Sequence, residues 1–363
     1  MGRRIRTFLG ALAVYATVPL AALVWAAGTA FRFTRRRPWI LAVLVPLLPV
    51  MLGFYWFFFS TGSATAPVTV QVQPGMSFAA FASQLGSQGI THHTRILRWA
   101  ARLLGTDEKL HVGLYEVSPE DSPSEILLKL SRHEQVYLEF TVVEGCTLAE
   151  CLPGVANAVD LPVDSLWRRV RPPEWRQVHT GTREPAEGYL FPETYKVPWG
   201  AGAAEVIRAM ADQFETVWKE ESAGYSGPLS RHEAITLASL IEAEAKDGGE
   251  RGRISSVFHN RLRKRMRLQC DPTVIYAMGG LDRPLLRKDW EFESPYNTYV
   301  VAGLPPGPIG APGRGSIRAA LRPDATDYLY FMARGDGTHI FTKTLREHEA
   351  AYREVKRNST HSP

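Results

Sequence analysis

The sequence predicts an α+β protein with one or two N-terminal transmembrane segments, followed by a small α+β domain and a larger α+β domain. Two patterns lead to this fold class. Short segments that alternate apolar and polar residues, such as 68–73, predict strands. Segments with apolar residues three or four positions apart, such as 230–244, predict helices. The chain has 363 residues, enough for two or three domains, and its 45% of hydrophobic residues is typical of a chain with a core.

The N-terminal part of the sequence predicts a membrane anchor. Residues 39–59 carry no charge and have the length of a bilayer-spanning helix. The arginines just before them, within the N-terminal segment 1–38, should stay in the cytoplasm, which places everything after Phe59 outside. An earlier uncharged run over 8–31 is also long enough to span, and the basic residues at both of its ends leave its direction open. We therefore expect a membrane protein whose C-terminal three-quarters is extracytoplasmic.

Charge, cysteine and histidine content exclude several classes of protein. The formal net charge of +5 is too modest for a nucleic-acid binder. With three cysteines there is no disulfide framework, although Cys146 and Cys151 could pair in an oxidising compartment. The ten histidines are scattered and form no H-E-x-x-H motif. We expect neither a metal nor another cofactor.

A small domain is predicted over 68–136, after a linker of small residues over 60–67. Its first strand turns at Pro74-Gly75 and leads into a helix that Ser77 can cap. A second helix over 91–104 has apolar residues at core spacing, which predicts that these side chains are buried: Ile96, Leu97, Trp99 and Leu103. A strand followed by a capped helix resembles the LysM peptidoglycan-binding pattern, but a generic strand–helix corner fits equally well.

The larger domain is predicted over 137–355, before a polar tail over 356–363, and its most informative segment is the helix 230–244. Ser230 and Glu233 have the spacing of a capping box at its start. Apolar residues then follow on nearly every side, which predicts a buried helix. Two carboxylates, Glu242 and Glu244, stand at its C-terminal end, where the helix dipole is unfavourable for negative charge.

A carboxyl in that position is suited to proton transfer. Apolar surroundings and the negative end of the helix dipole should raise its pKa, so that it holds a proton near neutrality and can act as a general acid. Residues two apart on a helix point about 200° apart, so Glu242 and Glu244 cannot both face one reacting atom. Periodicity alone does not choose between them.

Further along the chain, polar groups and aromatic rings lie on loops stiffened by Gly and Pro. The segments 266–276 and 296–309 have the composition of a carbohydrate-binding cleft, with rings for sugar faces and with amides and carboxylates for hydroxyls. Stiff loops position such groups at a lower entropic cost. An earlier aromatic turn over 188–195 contains Glu193, for which we weigh a structural corner against a substrate-lining role.

Several of these segments resemble one known family. Ile241-Glu-Ala-Glu244, Val257–Leu262, Met266–Tyr276, Tyr296–Tyr299 and Gly303–Ile309 look like motifs of the YceG-like (MltG) endolytic murein transglycosylases. The similarity extends over 187–195, 327–331 and 338–342 and runs from about residue 68 to the end. Three features depart from the family. Ala243 stands where Lys or Arg is usual, and Cys270 where Ser or Thr is common. The hydrophobic run over 8–31 precedes the single span that the family is expected to have.

The resemblance implies an activity and a site. The catalytic Glu of the family falls on Glu242. The expected activity is the cleavage of the β-1,4 bond between N-acetylmuramic acid and N-acetylglucosamine inside nascent strands, leaving 1,6-anhydro ends. The residues expected to bind substrate are Glu244, Gln269, Asp271, Tyr276, Asn297, Thr298, Tyr299 and Glu193. The resemblance also implies the bacterial inner membrane as the location, a periplasmic catalytic domain, and penicillin-binding synthases as partners.

Two alternatives stay open at this point. A muramidase that hydrolyses the same bond would need a second carboxylate, for which Asp271 and Glu244 are the nearby candidates. A non-catalytic, membrane-anchored scaffold would bind peptidoglycan without needing Glu242.

Overall fold

The computed structural model describes residues 39–73, 75–107, 110–132, 134–171 and 186–359. The predicted first span over 8–31, the arginines before residue 39, Pro74 and residues 360–363 of the polar tail lie outside the described residues. The chain divides into two compact units. The N-terminal unit ends at Tyr137 and also contains Pro198–Gly200, and the C-terminal unit contains the rest of the chain from Leu138 onward.

The first helix, α1 (Trp39–Phe59), covers the segment for which a transmembrane span was predicted. It contains Pro46 and Pro49, which cannot donate backbone hydrogen bonds. Within the described part of the chain, no helix has both the length and the apolarity needed to cross a membrane. The segment is therefore found as a helix, and the predicted span is not confirmed.

The N-terminal unit continues as a strand–helix–helix–strand arrangement with one more helix. Its elements are β1 (Val68–Val72), α2 (Phe78–Ser87), α3 (Thr94–Leu104), β2 (Gly113–Val117) and α4 (Pro123–Ser131). The two strands are antiparallel, with Val68 opposite Val117 and Val72 opposite Gly113. The Ser77 side chain accepts a hydrogen bond from the Ala80 N–H and caps α2, as the sequence predicts.

Helix α3 corrects part of the predicted core. Leu97 and Ala101, one turn apart, are fully buried. Trp99 and Leu103 were predicted to be buried but are 73% and 78% exposed. Successive helical residues turn by about 100°, so Trp99 points about 200° away from Leu97. Only one of the two faces can contact the core of this unit.

The C-terminal unit is mainly helical, with short antiparallel strands. Strand β3 (Tyr137–Thr141) pairs with β4 (Thr194–Pro198), and β5 (Tyr330–Ala333) pairs with β6 (His339–Thr342). The helices are α5 (Leu148–Ala158), α6 (Val163–Val170), α7 (Ala203–Glu221), α8 (Arg231–Glu244), α9 (Arg251–Arg263), α10 (Asp271–Ala277), α11 (Arg314–Leu321) and α12 (Leu345–Ser359). Taken together, the N-terminal and C-terminal units have the mixed α+β fold class that the sequence predicts.

Helix α8 lies at the centre of the C-terminal unit. Ser230 and Glu233 form the predicted capping box at its start. Every side chain from Ala234 to Ile241 is buried, including those of Thr236 and Ser239. Helices α9, α10 and α11 all pack against α8. The prediction of a buried helix is confirmed. The C-terminal turn of α8 lies among these three neighbouring helices.

Candidate active site

Glu242 lies in the last turn of α8, and both oxygens of its carboxylate are bound. Its side chain is only 6% exposed. Oε1 accepts a hydrogen bond of 2.8 Å from Nη2 of Arg251, and Oε2 accepts one of 2.8 Å from the backbone N–H of Gly313. A buried carboxylate is costly unless it is paired and hydrogen-bonded. These two donors therefore hold the carboxylate in one orientation.

Arg251, the first residue of α9, connects Glu242 to a second carboxylate. Its Nε donates to Oγ of Ser316 at 3.0 Å, which fixes the plane of the guanidinium group. Its Nη2 also lies 3.5 Å from Oε2 of Glu144, whose side chain is half exposed. Burial and the nearby Glu242 raise the pKa of Glu144, and Arg251 opposes that rise. One guanidinium thus bridges two carboxylates.

Glycines allow the loop around Gly313 to approach Glu242 closely. The N–H of Gly145 donates to the carbonyl of Ala311 at 2.7 Å, and the N–H of Ala311 donates to the carbonyl of Cys146 at 2.9 Å. A side chain at Gly310 would collide with the Gly145 carbonyl, and one at Gly313 would collide with the Glu144 carboxylate. A side chain at Gly310 would therefore shift the backbone of this loop, whereas one at Gly313 would displace the Glu144 carboxylate from its place beside Arg251.

Glu244 faces a different set of groups, as expected for residues about 200° apart on a helix. It lies against the Cys270 thiol, which forms a hydrogen bond with it, and near Asp271 and Arg261. Burial raises the pKa of Glu244 to about 7, and repulsion from Asp271 adds to the rise. The raised pKa that the sequence predicts for a carboxyl at this helix end is found at Glu244.

The loops that follow α9 place Gln269 and Asp271 beside aromatic rings. Gln269 has a positive φ of 51°, uncommon for a residue other than glycine, and its side-chain Oε1 accepts a 3.2 Å hydrogen bond from Arg261. Oδ1 of Asp271 accepts hydrogen bonds from the Tyr299 hydroxyl at 2.6 Å and from Nε1 of Trp290 at 3.2 Å. The Trp290 and Tyr299 rings are stacked with their centroids 5.3 Å apart. Trp290 was not among the predicted site residues.

Asn297 and Thr298, predicted to bind substrate, are fully buried and hold the loops together. Nδ2 of Asn297 donates to the carbonyls of Trp290 and Phe292. Oγ1 of Thr298 accepts a 2.9 Å hydrogen bond from the backbone N–H of Cys270. Both side chains therefore hold the loops that carry Trp290 and Cys270, and a substrate-binding role for them stays a prediction.

Tyr276 and Glu193 have partners within the protein. The Tyr276 hydroxyl donates to Glu187 at 3.4 Å, and the Glu187 carboxylate also accepts from the N–H of Leu148 at the start of α5. Burial raises the pKa of Glu187 to about 7. Glu193 is exposed and accepts a 2.9 Å hydrogen bond from Gln213, an arrangement typical of a structural corner. A substrate-binding role for Tyr276 and Glu193 stays a prediction.

Three groups at the site escaped the sequence reasoning: Glu144, Arg251 and Trp290. Glu144 lies between β3 and α5, and Arg251 begins α9. Neither residue lies in a segment for which the sequence predicts a site. Among the described residues, no group of three or more His, Cys, Asp or Glu side chains is arranged to hold a metal ion.

Comparison with known proteins assigns the chain to a family. The model of the YceG-like family matches residues 70–354, well over half of the chain. The chain therefore belongs to the YceG-like family.

Individual relatives agree with this assignment. A Bacillus subtilis protein named endolytic murein transglycosylase is 35% identical over 303 residues, which cover 78% of this chain and 83% of the relative. A protein of the same name from Streptococcus pneumoniae is 26% identical over 319 residues, covering 78% of this chain and 57% of the relative. The crystal structure of a YceG-like protein from Listeria monocytogenes, 32% identical, matches with a TM-score of 0.54 over 78% of this chain and 99% of that one.

The raised pKa of Glu244 predicts a pH dependence of stability. Because the folded chain holds the Glu244 proton up to about pH 7, whereas a Glu in the unfolded chain loses it near 4.5, this contribution is complete below about pH 4.5. It is lost as the pH rises through about 7. In urea unfolding, Glu244→Gln should reduce the fall in the free energy of unfolding between pH 4.5 and 7 by about 1 to 3 kcal/mol.

Glu187 has a similar pKa and should add to the same fall, so part of the slope will remain in Glu244→Gln. Glu139→Gln, a change at an exposed position of β3, is the matched control and should keep the wild-type slope. A Glu244→Gln slope equal to that of the wild type would contradict the assignment.

Proposed function

We propose that this chain is an endolytic lytic transglycosylase that cuts peptidoglycan strands internally, with Glu242 as its general acid and base. The observation that carries the proposal is the environment of Glu242, a nearly buried carboxylate held by Arg251 and by the Gly313 N–H at the position of the family's catalytic Glu. Membership of the YceG-like family and the names of its relatives support the same activity.

The reaction needs two proton transfers at one position. Protonated Glu242 donates its proton to the oxygen of the β-1,4 bond, and the bond between that oxygen and C1 of N-acetylmuramic acid breaks. The resulting carboxylate then takes the proton from the C6 hydroxyl of the same sugar, and O6 bonds to C1 to close the 1,6-anhydro ring. The proton returns to Glu242, so the enzyme is regenerated and no water is consumed.

The partners of Glu242 stabilise the carboxylate that forms between the two transfers. Between the two transfers the side chain is a carboxylate with 6% exposure, and hydrogen bonds from Arg251 and Gly313 stabilise that charge. Because Arg251 is fixed by Ser316, little reorganisation is needed when the charge forms. When Glu242 is protonated, the oxygen that carries the proton becomes a donor and gives up its contact with one of these two groups.

The positions of the other carboxylates favour the lyase over a hydrolase. A hydrolase needs a second carboxylate free to activate water or to attack the sugar. Glu244 is engaged with Cys270, and Asp271 accepts hydrogen bonds from Tyr299 and Trp290. The carboxylate that shares Arg251 with Glu242 is Glu144, which makes Glu144 the strongest candidate for the rival chemistry.

Digestion of purified glycan strands by the wild type, Glu242→Gln and Glu144→Gln, followed by mass spectrometry, tests the proposal. The wild type should release anhydromuramoyl ends from the interior of strands. Glu242→Gln should lower that rate by about 10² to 10⁴, the usual contribution of a general acid–base group. Glu139→Gln is the matched control at an exposed position of β3 and should cleave like the wild type.

Three other results would overturn the proposal. Reducing ends that vanish in Glu144→Gln would indicate a hydrolase that uses Glu144. Cleavage that survives in Glu242→Gln would remove Glu242 from the reaction. Strand binding without cleavage by any variant would favour the non-catalytic scaffold.

Arg251 should act as a positioning residue. Arg251→Gln removes the charged donor to Glu242 and should reduce the rate constant for cleavage roughly 10- to 100-fold, with a smaller change in KM. Arg251→Lys keeps one charged donor and should recover part of the loss, whereas Ser316→Ala should have an effect of a few fold. If Arg251→Gln changes KM alone, Arg251 binds substrate instead of orienting Glu242.

For the N-terminal unit, we propose a LysM-like fold and a location at the membrane. The strand–helix–helix–strand order of β1, α2, α3 and β2 supports a LysM-like, peptidoglycan-binding unit. The uncharged run 39–59 and the arginines before it support an anchored chain with its catalytic unit outside the bacterial inner membrane, where penicillin-binding synthases are the natural partners. If the full chain stays in the soluble fraction of lysed cells, the anchoring proposal fails.

A further inference from the structure

The outward face of α3 exposes two large apolar side chains, where the sequence alone predicts core residues. Trp99 is 73% exposed and Leu103, one helical turn later, is 78% exposed. Scattered exposed apolar residues are ordinary on protein surfaces. A pair one turn apart on the same face covers a continuous strip of the helix, and three arginines lie next to this strip.

Three arginines surround this apolar pair. Arg95, Arg98 and Arg102 are exposed and, with Phe78 and Trp99, line an open groove of about 260 Å³. None of the three forms an ion pair within the described part of the chain. Among the described residues, the groove also contains one carboxylate, Asp107, so this part of its lining carries an excess of two positive charges.

The face of α3 adjoins the apolar helix α1. His93, the residue just before α3, packs its ring against Trp56 of α1 with the centroids 4.3 Å apart. Other side chains of α1 that the structure leaves exposed include Leu48, Val50 and Met51. Within the N-terminal unit, His93, two residues before Arg95, therefore lies beside the C-terminal end of an exposed apolar helix.

We propose that this outward face of α3, defined by Arg95, Arg98, Trp99, Arg102 and Leu103, binds the surface of a membrane that contains anionic phospholipids. The three guanidinium groups contact lipid phosphates, and Trp99 and Leu103 enter the boundary between headgroups and acyl chains. Helices with basic residues beside Trp and Leu lie on membranes in this way. Trp is also favoured at the headgroup level, where its ring is partly in an apolar medium.

Charge and composition favour a lipid surface over an acidic glycan as the occupant. A glycan site needs amides and carboxylates for sugar hydroxyls beside its aromatic ring, and this groove offers a single carboxylate. Leu103 has no role against sugar hydroxyls, whereas it gains from burial among acyl chains. This inference concerns the N-terminal unit and does not depend on the reaction at Glu242.

The test measures contact between Trp99 and lipid in the full chain. The protein is reconstituted into vesicles of phosphatidylcholine alone or of phosphatidylcholine with phosphatidylglycerol, with a brominated phosphatidylcholine as quencher of tryptophan fluorescence. The Trp99 signal is the difference between the wild type and Trp99→Phe, a change at an exposed position that the fold should tolerate. Murein glycan strands are added in a separate sample.

We expect quenching of the Trp99 signal in the anionic vesicles and little in the neutral ones. Each arginine near an anionic surface contributes a factor of roughly five, so Arg95→Gln, Arg98→Gln and Arg102→Gln together should weaken the contact about 100-fold. Salt at about 1 M should have a similar effect, since the Debye length is then about 3 Å. The charge-matched control, Arg168→Gln, Arg169→Gln and Arg346→Gln at exposed positions of α6 and α12, should keep the quenching.

Any of three results would overturn the inference. The Trp99 signal could stay unquenched in anionic vesicles, or be quenched equally in neutral ones, which would remove the role of the arginines. The triple variant on α3 could behave like its control. Glycan strands could shift the Trp99 signal while vesicles do not, in which case this face binds the cell-wall polymer.

Discussion

The structure of the C-terminal unit depends on a carboxylate that is withdrawn from water. Glu242 lies in the last turn of a helix in which the eight preceding side chains are buried, and at 6% exposure it needs partners for both oxygens. One partner is Arg251, at the start of the next helix, and the other is the N–H of Gly313, from a loop about seventy residues later. Removing either partner would leave a buried charge incompletely satisfied. The packing of α9 and α11 on α8, which buries apolar side chains of all three helices, thus also brings the two donors to Glu242.

Glu242 and Glu244 have different environments because residues two apart on a helix point about 200° apart. Glu242 meets Arg251, a charged donor, whereas Glu244 meets a thiol and the carboxylate of Asp271, and burial raises its pKa to about 7. Two groups of the same chemistry, two residues apart, thus have different neighbours. The family relationship and the donors around Glu242 support Glu242 as the reacting group, while Glu244 is tied into the loop that carries Cys270 and Asp271.

The parts of the fold that the sequence predicts well are those set by local rules. Capping boxes and apolar periodicity predict α8 and its burial, because both act within a few residues. Periodicity fails in α3, where Trp99 and Leu103 have core spacing but lie on the opposite face from Leu97. Apolar residues on two faces of a short helix do not by themselves show which face meets the core.

For the site, residue type alone could not distinguish the roles of Asn297 and Asp271. Asn297 is buried and donates hydrogen bonds to the backbone of a loop, whereas Asp271 accepts hydrogen bonds from two aromatic side chains. The hydrogen bond from the Gly313 N–H to Glu242 could not be predicted, since 71 residues of chain separate the two, and the contact between Glu144 and Arg251 spans 107 residues.

In the proposed reaction, one carboxylate carries out both proton transfers and no water enters. Digestion of glycan strands in water enriched in oxygen-18, with mass spectrometry of the new ends, measures this directly. We expect the new ends to contain no oxygen-18, because O6 of the same sugar attacks C1. Incorporation of one oxygen-18 atom for each bond cleaved would contradict it, since the attacking oxygen would then come from water and a second group, with Glu144 as the first candidate, would have to activate it.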